Sequence, residues 1–238
     1  MGNKTIWSAF ILGLFICIGL TLLGSMLGKA AFTYKMRDRT VTVKGLSERT
    51  VGADTAIWPI SFRVTGNDLG ELYSSIQDQN KTIILFLSQL GFLREEITIS
   101  SPAITDRQAE NLSSQNSQFR YSAQSTITVF STNTGRVLAA IEKIGQLVSE
   151  GIVISGSTYS SQIKFLYTGL NEIKPEMIEE ATRNGRQAAE KFARDSMSTL
   201  GKIKTAHQGQ FSIQDRDANT RHIKKIRVVS TIQYYLTD

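Results

Sequence analysis

Residues Thr5 to Gly28 read TIWSAFILGLFICIGLTLLGSMLG, twenty-four in a row without a charged side chain. Few folds in water accept such a run. As an α-helix rising about 1.5 Å per residue it extends roughly 36 Å, enough to cross a hydrocarbon layer of roughly 30 Å. In lipid a helix satisfies its own backbone N–H and C=O groups, which an open strand does not. Lys4 bounds the run on one side; Lys29, Lys35, Arg37 and Arg39 bound it on the other. The expectation is a retained membrane anchor over residues 1–39, span plus basic flank, with residues 40–238 as the domain it tethers.

The competing reading is a cleaved signal peptide. Such peptides carry a shorter apolar stretch, roughly 7–15 residues, and a small-x-small cleavage site. Here Lys29 interrupts the nearest small residues, Gly28, Ala30 and Ala31. A lipoprotein signal fits poorly, because Cys17 follows the bulky Ile16. Myristoylation fails as well, since Ile6 stands where Ser or Thr is required. Orientation is balanced by the charges. The positive-inside rule sets Lys4 and the N-terminal amine against Lys29, Lys35, Arg37, Arg39 and Lys44 and keeps the domain inside, yet long domains escape that rule.

Charge narrows the partners. Of the formal net +6, residues 1–39 hold +4, leaving about +2 for the domain. The basic excess therefore sits beside the membrane, where anionic headgroups are, and nucleic-acid binding loses its main support. Cys17, inside the apolar run, is the one cysteine. The domain has no disulfide and no thiolate for catalysis or metal binding.

Beyond the anchor, period-two and period-3.6 patterns alternate. Thr40–Ser47 and Asp54–Thr65 read as strands, with Ala56, Trp58, Ile60, Phe62 and Val64 on one face. Pro59 lacks a donor and predicts an edge position or a bulge. Asn67 or Asp68 caps a helix to about Leu90, with Leu69, Leu72, Ile76, Ile83, Phe86, Leu87 and Leu90 in its stripe and Asn80 as the polar interruption. A strand over Ile97–Thr105, broken by Pro102, precedes the polar segment 107–118, an exposed hairpin loop leading to the strand Phe119–Ser131. A second helix runs from Thr132 or Asn133 to Ser149, with Val137, Leu138, Ile141, Ile144 and Val148 inward. Strand signals follow at Ile152–Tyr159 and Ile163–Tyr167. The third helix spans about Leu170–Leu200, with Ile178, Ala181, Gly185, Ala188, Phe192 and Leu200 inward and Gly201 as its stop. A closing hairpin pairs Ile203–Ile213 with His222–Leu236 across the charged turn 214–221. The order predicts an α+β fold with mixed or antiparallel sheets and helices on one face. Within it a helix–hairpin unit recurs at 68–131 and 170–237.

No motif here carries recognisable chemistry. Phosphate loops, dinucleotide fingerprints, nucleophile elbows and zinc-protease helices are all missing. His207 and His222, the two histidines, read as surface or strand residues. Asp215-Arg216-Asp217-Ala218-Asn219 opens like a calcium loop, but Thr220 and Ile226 replace its required Gly and Glu, which leaves a solvated turn. Glu95 and Glu96 are adjacent in a turn and point apart. Arg221, Lys224, Lys225 and Arg227 form a basic patch without interleaved aromatics, read as a solvated strand face. The expectation is a protein with no catalytic, cofactor-binding or metal-binding residues, and no enzymatic activity.

Three stretches carry a likeness to a known family. TVTVKGLSERTVGADTAIWPISFRV holds a V-x-G turn and then small-Asp-x-Ala with Asp54 and Ala56, although Ala53 stands where Pro is usual. FRYSAQSTITV (119–129) matches a further strand. EEATRNGRQAAEKFARDSMSTLGKI (179–203) matches an alanine-spaced helix ending in Gly-x-Ile, with Gly185 in place of an Ala. Over about 40–237 the chain resembles the SIMPL-domain family. The resemblance implies an α+β domain of repeated units, exported to the periplasm or held on the outer face of the inner membrane. It also implies ring-like or hollow homo-oligomers in some members, and envelope or oxidative-stress roles without an agreed reaction. On that likeness the domain is expected outside, as a self-assembling envelope scaffold. The alternative is a ligand- or partner-binding module using the 107–118 and 214–221 loops.

Overall fold

The apolar run forms one continuous helix, α1, Gly2–Arg37, in a computed structural model that describes residues 2–37, 39–109, 118–155 and 162–237. Leu12–Lys29 is the segment long and apolar enough to span a membrane, with mean hydropathy 1.8 and none of it buried. A signal sequence near an N-terminus shares those properties.

The rest is α+β. Its elements are β1 (Thr40–Gly52), β2 (Thr55–Gly66), α2 (Leu69–Gln89), β3 (Ile97–Ile99), β4 (Ala103–Asp106) and β5 (Tyr121–Ser131). Then come α3 (Thr134–Glu142), α4 (Gly145–Ser149), β6 (Lys164–Leu166), α5 (Leu170–Asp195), β7 (Thr199–Gln208), β8 (Ser212–Asp215) and β9 (Ile223–Thr237). One open sheet runs β1-β9-β7 with β8 also on β9, the other β3-β5-β2-β6 with β4 also on β5. In each, a helix is followed by a split strand and a long return strand, which takes the split strand on one side and an earlier strand on the other. The expected recurrence of a helix–hairpin unit is therefore present as topology. The chain divides into two compact units: residues 1–48, 174–212 and 227–238, and residues 49–173 and 213–226.

In the second unit β2 and β5 pair antiparallel from Ala56 opposite Ser131 to Gly66 opposite Tyr121, without a shift. Trp58, Ile60 and Phe62 alternate inward and meet Ile127 and Val129 of β5 and the α2 stripe Leu72, Ile76, Ile83, Phe86 and Leu87. Asp68 caps α2, its carboxylate accepting from the Glu71 N–H at 2.9 Å. Pro59 causes no bulge. It lies opposite Thr128 in the unbroken ladder, while β6 reaches along β2 only to Ile57, so its missing donor interrupts no ladder bond among the described residues. Pro102 does break its strand. From Ile99 to Ala103 the chain advances four residues while β5 advances three, Ile127 to Gln124, a one-residue bulge.

Two helix expectations need correcting. The helix expected over 132–149 is interrupted at Lys143–Ile144, giving α3 and α4; Val137, Ala140 and Leu147 are buried and Val148 is exposed. Of the strand signal at 152–159, the described residues 152–155 hold an isolated bridge between Ile154 and Phe62; residues 156–161 lie outside the described residues.

The third helix differs more. In the first unit α5 buries Met177, Ala181, Gly185, Ala189 and Ala193, one residue every four. Phe192, expected inward, is 59% exposed. The helix stops at Asp195, not Leu200, because Ser198 N–H donates to the Ala193 carbonyl at 2.8 Å and Met197 N–H to Arg194 at 3.0 Å. Met197 takes φ +53° to close this left-handed cap, a place usually given to glycine. Gly201 then falls inside β7. The small stripe lets β1 lie directly on the helix: a methyl at Gly45 would be 1.8 Å from the Ala181 carbonyl oxygen and 2.6 Å from Gly185 N. Asn184 Nδ2 donates to the Leu46 carbonyl and Ser47 Oγ to Glu180, each at 2.8 Å.

Candidate functional site

The charged residues that the sequence singles out are engaged locally. Glu96 accepts from Ser131 Oγ at 2.5 Å, Leu93 N–H at 2.9 Å and Arg136 at 3.3 Å. Burial tends to raise its pKa, but these donors outweigh it and hold the carboxyl below its usual range. Glu95 is exposed, so the two form no carboxylate pair. In the 214–221 turn, Asp217 accepts from Thr220 and Asn219 backbone N–H at 2.7 and 2.9 Å, and from Arg216 at 3.0 Å. Donation by the Thr220 hydroxyl and by Arg216 holds that carboxyl well below the ordinary range. This is a self-satisfied turn. Among the described residues no three of His, Cys, Asp and Glu converge as a metal would require.

The basic patch is not the uniform solvated face that its sequence suggests. Lys224 is turned inward, 7% exposed, and paired with Asp215. Arg221 donates to Gln162 at 3.2 Å and Arg227 meets Glu48 at 3.5 Å. His207 is exposed on β7 opposite Thr231. His222 is half-buried, its ring edge-on to Phe165 at 6.0 Å. The 107–118 segment is closed at its base by Arg120 on Asp106 at 2.8 Å and by Arg107 N–H on the Arg120 carbonyl at 3.0 Å; residues 110–117 lie outside the described residues.

Asp54 has a mechanical role. Its carboxylate accepts from Thr168 N–H at 2.7 Å, Thr168 Oγ1 at 3.1 Å, Gly169 N–H at 3.1 Å and Thr55 Oγ1 at 2.9 Å. Burial works against the charge, yet the four donors keep the pKa below the carboxylate norm. The acid thereby ties the β1–β2 turn to the segment that leads into α5.

A concave site lies elsewhere, in the first unit, and no motif announced it. Thr182, Arg186 and Glu190 follow one another at intervals of four along α5, beside its small stripe, and face a cavity of about 460 Å³. The opposite wall is Leu200, Gly201, Lys202 and Ile203 of β7, with Tyr234 of β9. Two register shifts in β7, between Leu200 and Ile203 and between Ile203 and Thr205, bend this wall away from a regular ladder. Gly201 makes the bend possible, since a methyl there would stand 3.0 Å from the Tyr235 carbonyl oxygen. Arg186 Nε donates to Glu190 at 3.0 Å. Tyr234 is 4% exposed; burial, with the Glu190 carboxylate adding and Arg186 opposing, raises its phenol pKa. Helical spacing of Arg186 and Glu190 was legible in the sequence, but the bulges that open the cavity had no signature except Gly201.

Residues 41–228 match the model of the SIMPL family, described as a protein of unknown function (DUF541). No curated protein is similar enough to count as a match. With most of its length matched, the chain belongs to the SIMPL family.

Proposed function

We propose that this SIMPL protein is a non-enzymatic scaffold of the cell envelope, held by α1 in the inner membrane with its domain outside, where copies associate through sheet edges. The observation that carries the reading is the open state of both sheets. Among the described residues β1 and β7 end one, β3 and β6 end the other, and neither closes into a barrel. An edge strand presents unpaired N–H and C=O groups to any second chain, and tethering in two dimensions raises the effective concentration of neighbours. The outward placement is supported by the family likeness, against the local charge count. The absence of enzymatic activity is inferred from a sequence without a catalytic motif.

The test is mass photometry of the full chain extracted in mild detergent. A defined oligomer persisting across micromolar dilution is expected, and a monomer throughout contradicts the reading. Deleting 107–118 separates it from a partner-binding module: assembly should survive, whereas a module would lose a partner in pulldown.

A further inference from the structure

The cavity between α5 and β7 is lined by donors that the fold does not use. Tyr234 is buried to 4% exposure yet lines the opening, and its hydroxyl has no hydrogen-bond partner among the described residues. Among the described residues the buried side-chain atoms left without a partner are Gln79 Oε1 and Ser230 Oγ, so the Tyr234 hydroxyl is not sealed in; it opens to the cavity, where an entering molecule can replace water as its partner. Arg186 binds Glu190 through Nε alone, which leaves its two Nη atoms available. Lys202 is exposed at the rim and, like Thr182, has no partner among the described residues.

Two cations against the single Glu190 carboxylate leave a local charge of +1, which suits a monoanion better than a phosphate dianion. The Arg186 guanidinium presents parallel N–H donors of the kind that match a carboxylate. Leu200 and Ile203 supply an apolar wall beside them. A volume of about 460 Å³ falls within the range of small-molecule sites, roughly 300–1,000 Å³.

From this we infer that the groove is a binding site for a small organic carboxylate with an apolar body, its carboxylate on Arg186, Lys202 and the Tyr234 hydroxyl and its body against Leu200 and Ile203. The inference goes beyond the scaffold reading.

Fluorine NMR on the full chain in phosphatidylcholine nanodiscs tests it, with para-fluorophenylacetate and omega-fluorohexanoate as probes and empty nanodiscs as reference. Saturable binding of at least one probe is expected. Arg186→Gln and Lys202→Gln should each weaken it about tenfold, the loss of one charge-assisted contact at a partly exposed site. Tyr234→Phe keeps the packing and should weaken it less. Lys44→Gln, an exposed β1 lysine that does not line the cavity, should leave it unchanged. No saturable binding of either probe overturns the inference, as does binding indifferent to the Arg186 and Lys202 substitutions. Equal binding of para-fluorophenylacetamide removes the role of charge, and tighter binding of para-fluorobenzyl phosphate replaces the carboxylate with a dianion; either result also overturns it.

Discussion

The two compact units use one topology and two kinds of packing. Around β5, the helix α2 and the sheet meet through large side chains, Trp58, Ile60, Phe62, Ile76, Ile83 and Leu87, over a ladder with no register shift in eleven pairs. Around β9, the helix α5 offers Ala181, Gly185, Ala189 and Ala193, so backbone lies on backbone and the split strand β7 is bulged twice. Large interlocking side chains give one unit its stability. Small ones give the other a close helix–strand crossing and, where β7 bends away, the cavity.

The comparison breaks first where the β5 unit loses volume. Phe62→Ala, at a fully buried position, should cost about 3–5 kcal/mol by transfer and cavity terms, read as a lower urea midpoint for the full chain in mild detergent. The β9 unit should fail in the opposite sense, by gaining volume. Gly45→Ala puts a methyl 1.8 Å from the Ala181 carbonyl and should cost about 3 kcal/mol, near the upper end of overpacking penalties. Gly185→Ala meets Ile232 Cδ1 at 3.1 Å and Gly45 N at 3.3 Å; part of that contact can yield, so about 1 kcal/mol is expected. If Gly45→Ala is silent while Phe62→Ala is severe, the close-crossing description of α5 is wrong.

A smaller effect belongs to Asp54. Its folded pKa is depressed, so its contribution is present above the ordinary carboxylate pKa of about 3.9 and fades as pH falls through the folded value. Stability should decline below about pH 4, and Asp54→Asn should remove part of that slope, with a loss of about 1 kcal/mol at neutral pH. An unchanged pH profile in the variant contradicts the tether.

What could be read in advance follows the same contrast. The α2 stripe was legible because large apolar residues recur at three and four amid polar ones, with Asp68 in place to cap them. In α5, alanine and glycine carry almost no hydropathy contrast. Ala181 and Gly185 are buried as expected, but Ile178, Ala188 and Phe192 stand one residue away from the buried Met177, Ala189 and Ala193, and the apolar weight of Leu200 carried the expected helix past Asp195. Its actual stop uses Met197 at positive φ, a position without the glycine that normally signals it. Lys224 looked like surface because its burial depends on an ion pair with Asp215 nine residues away. The cavity depended on strand register, which side-chain pattern does not encode in a bulged strand. Asp54 was visible only as a point of family likeness, since its donors at Thr168 and Gly169 are over a hundred residues distant.

Membrane attachment underlies the functional account, and the mature N-terminus tests it most directly. Protein from the membrane fraction, washed with alkaline carbonate, should begin at Met1 or Gly2 and have an intact mass near 26.4 kDa. A chain beginning beyond Lys29 and recovered in the soluble fraction would contradict the anchor, and with it the tethered scaffold.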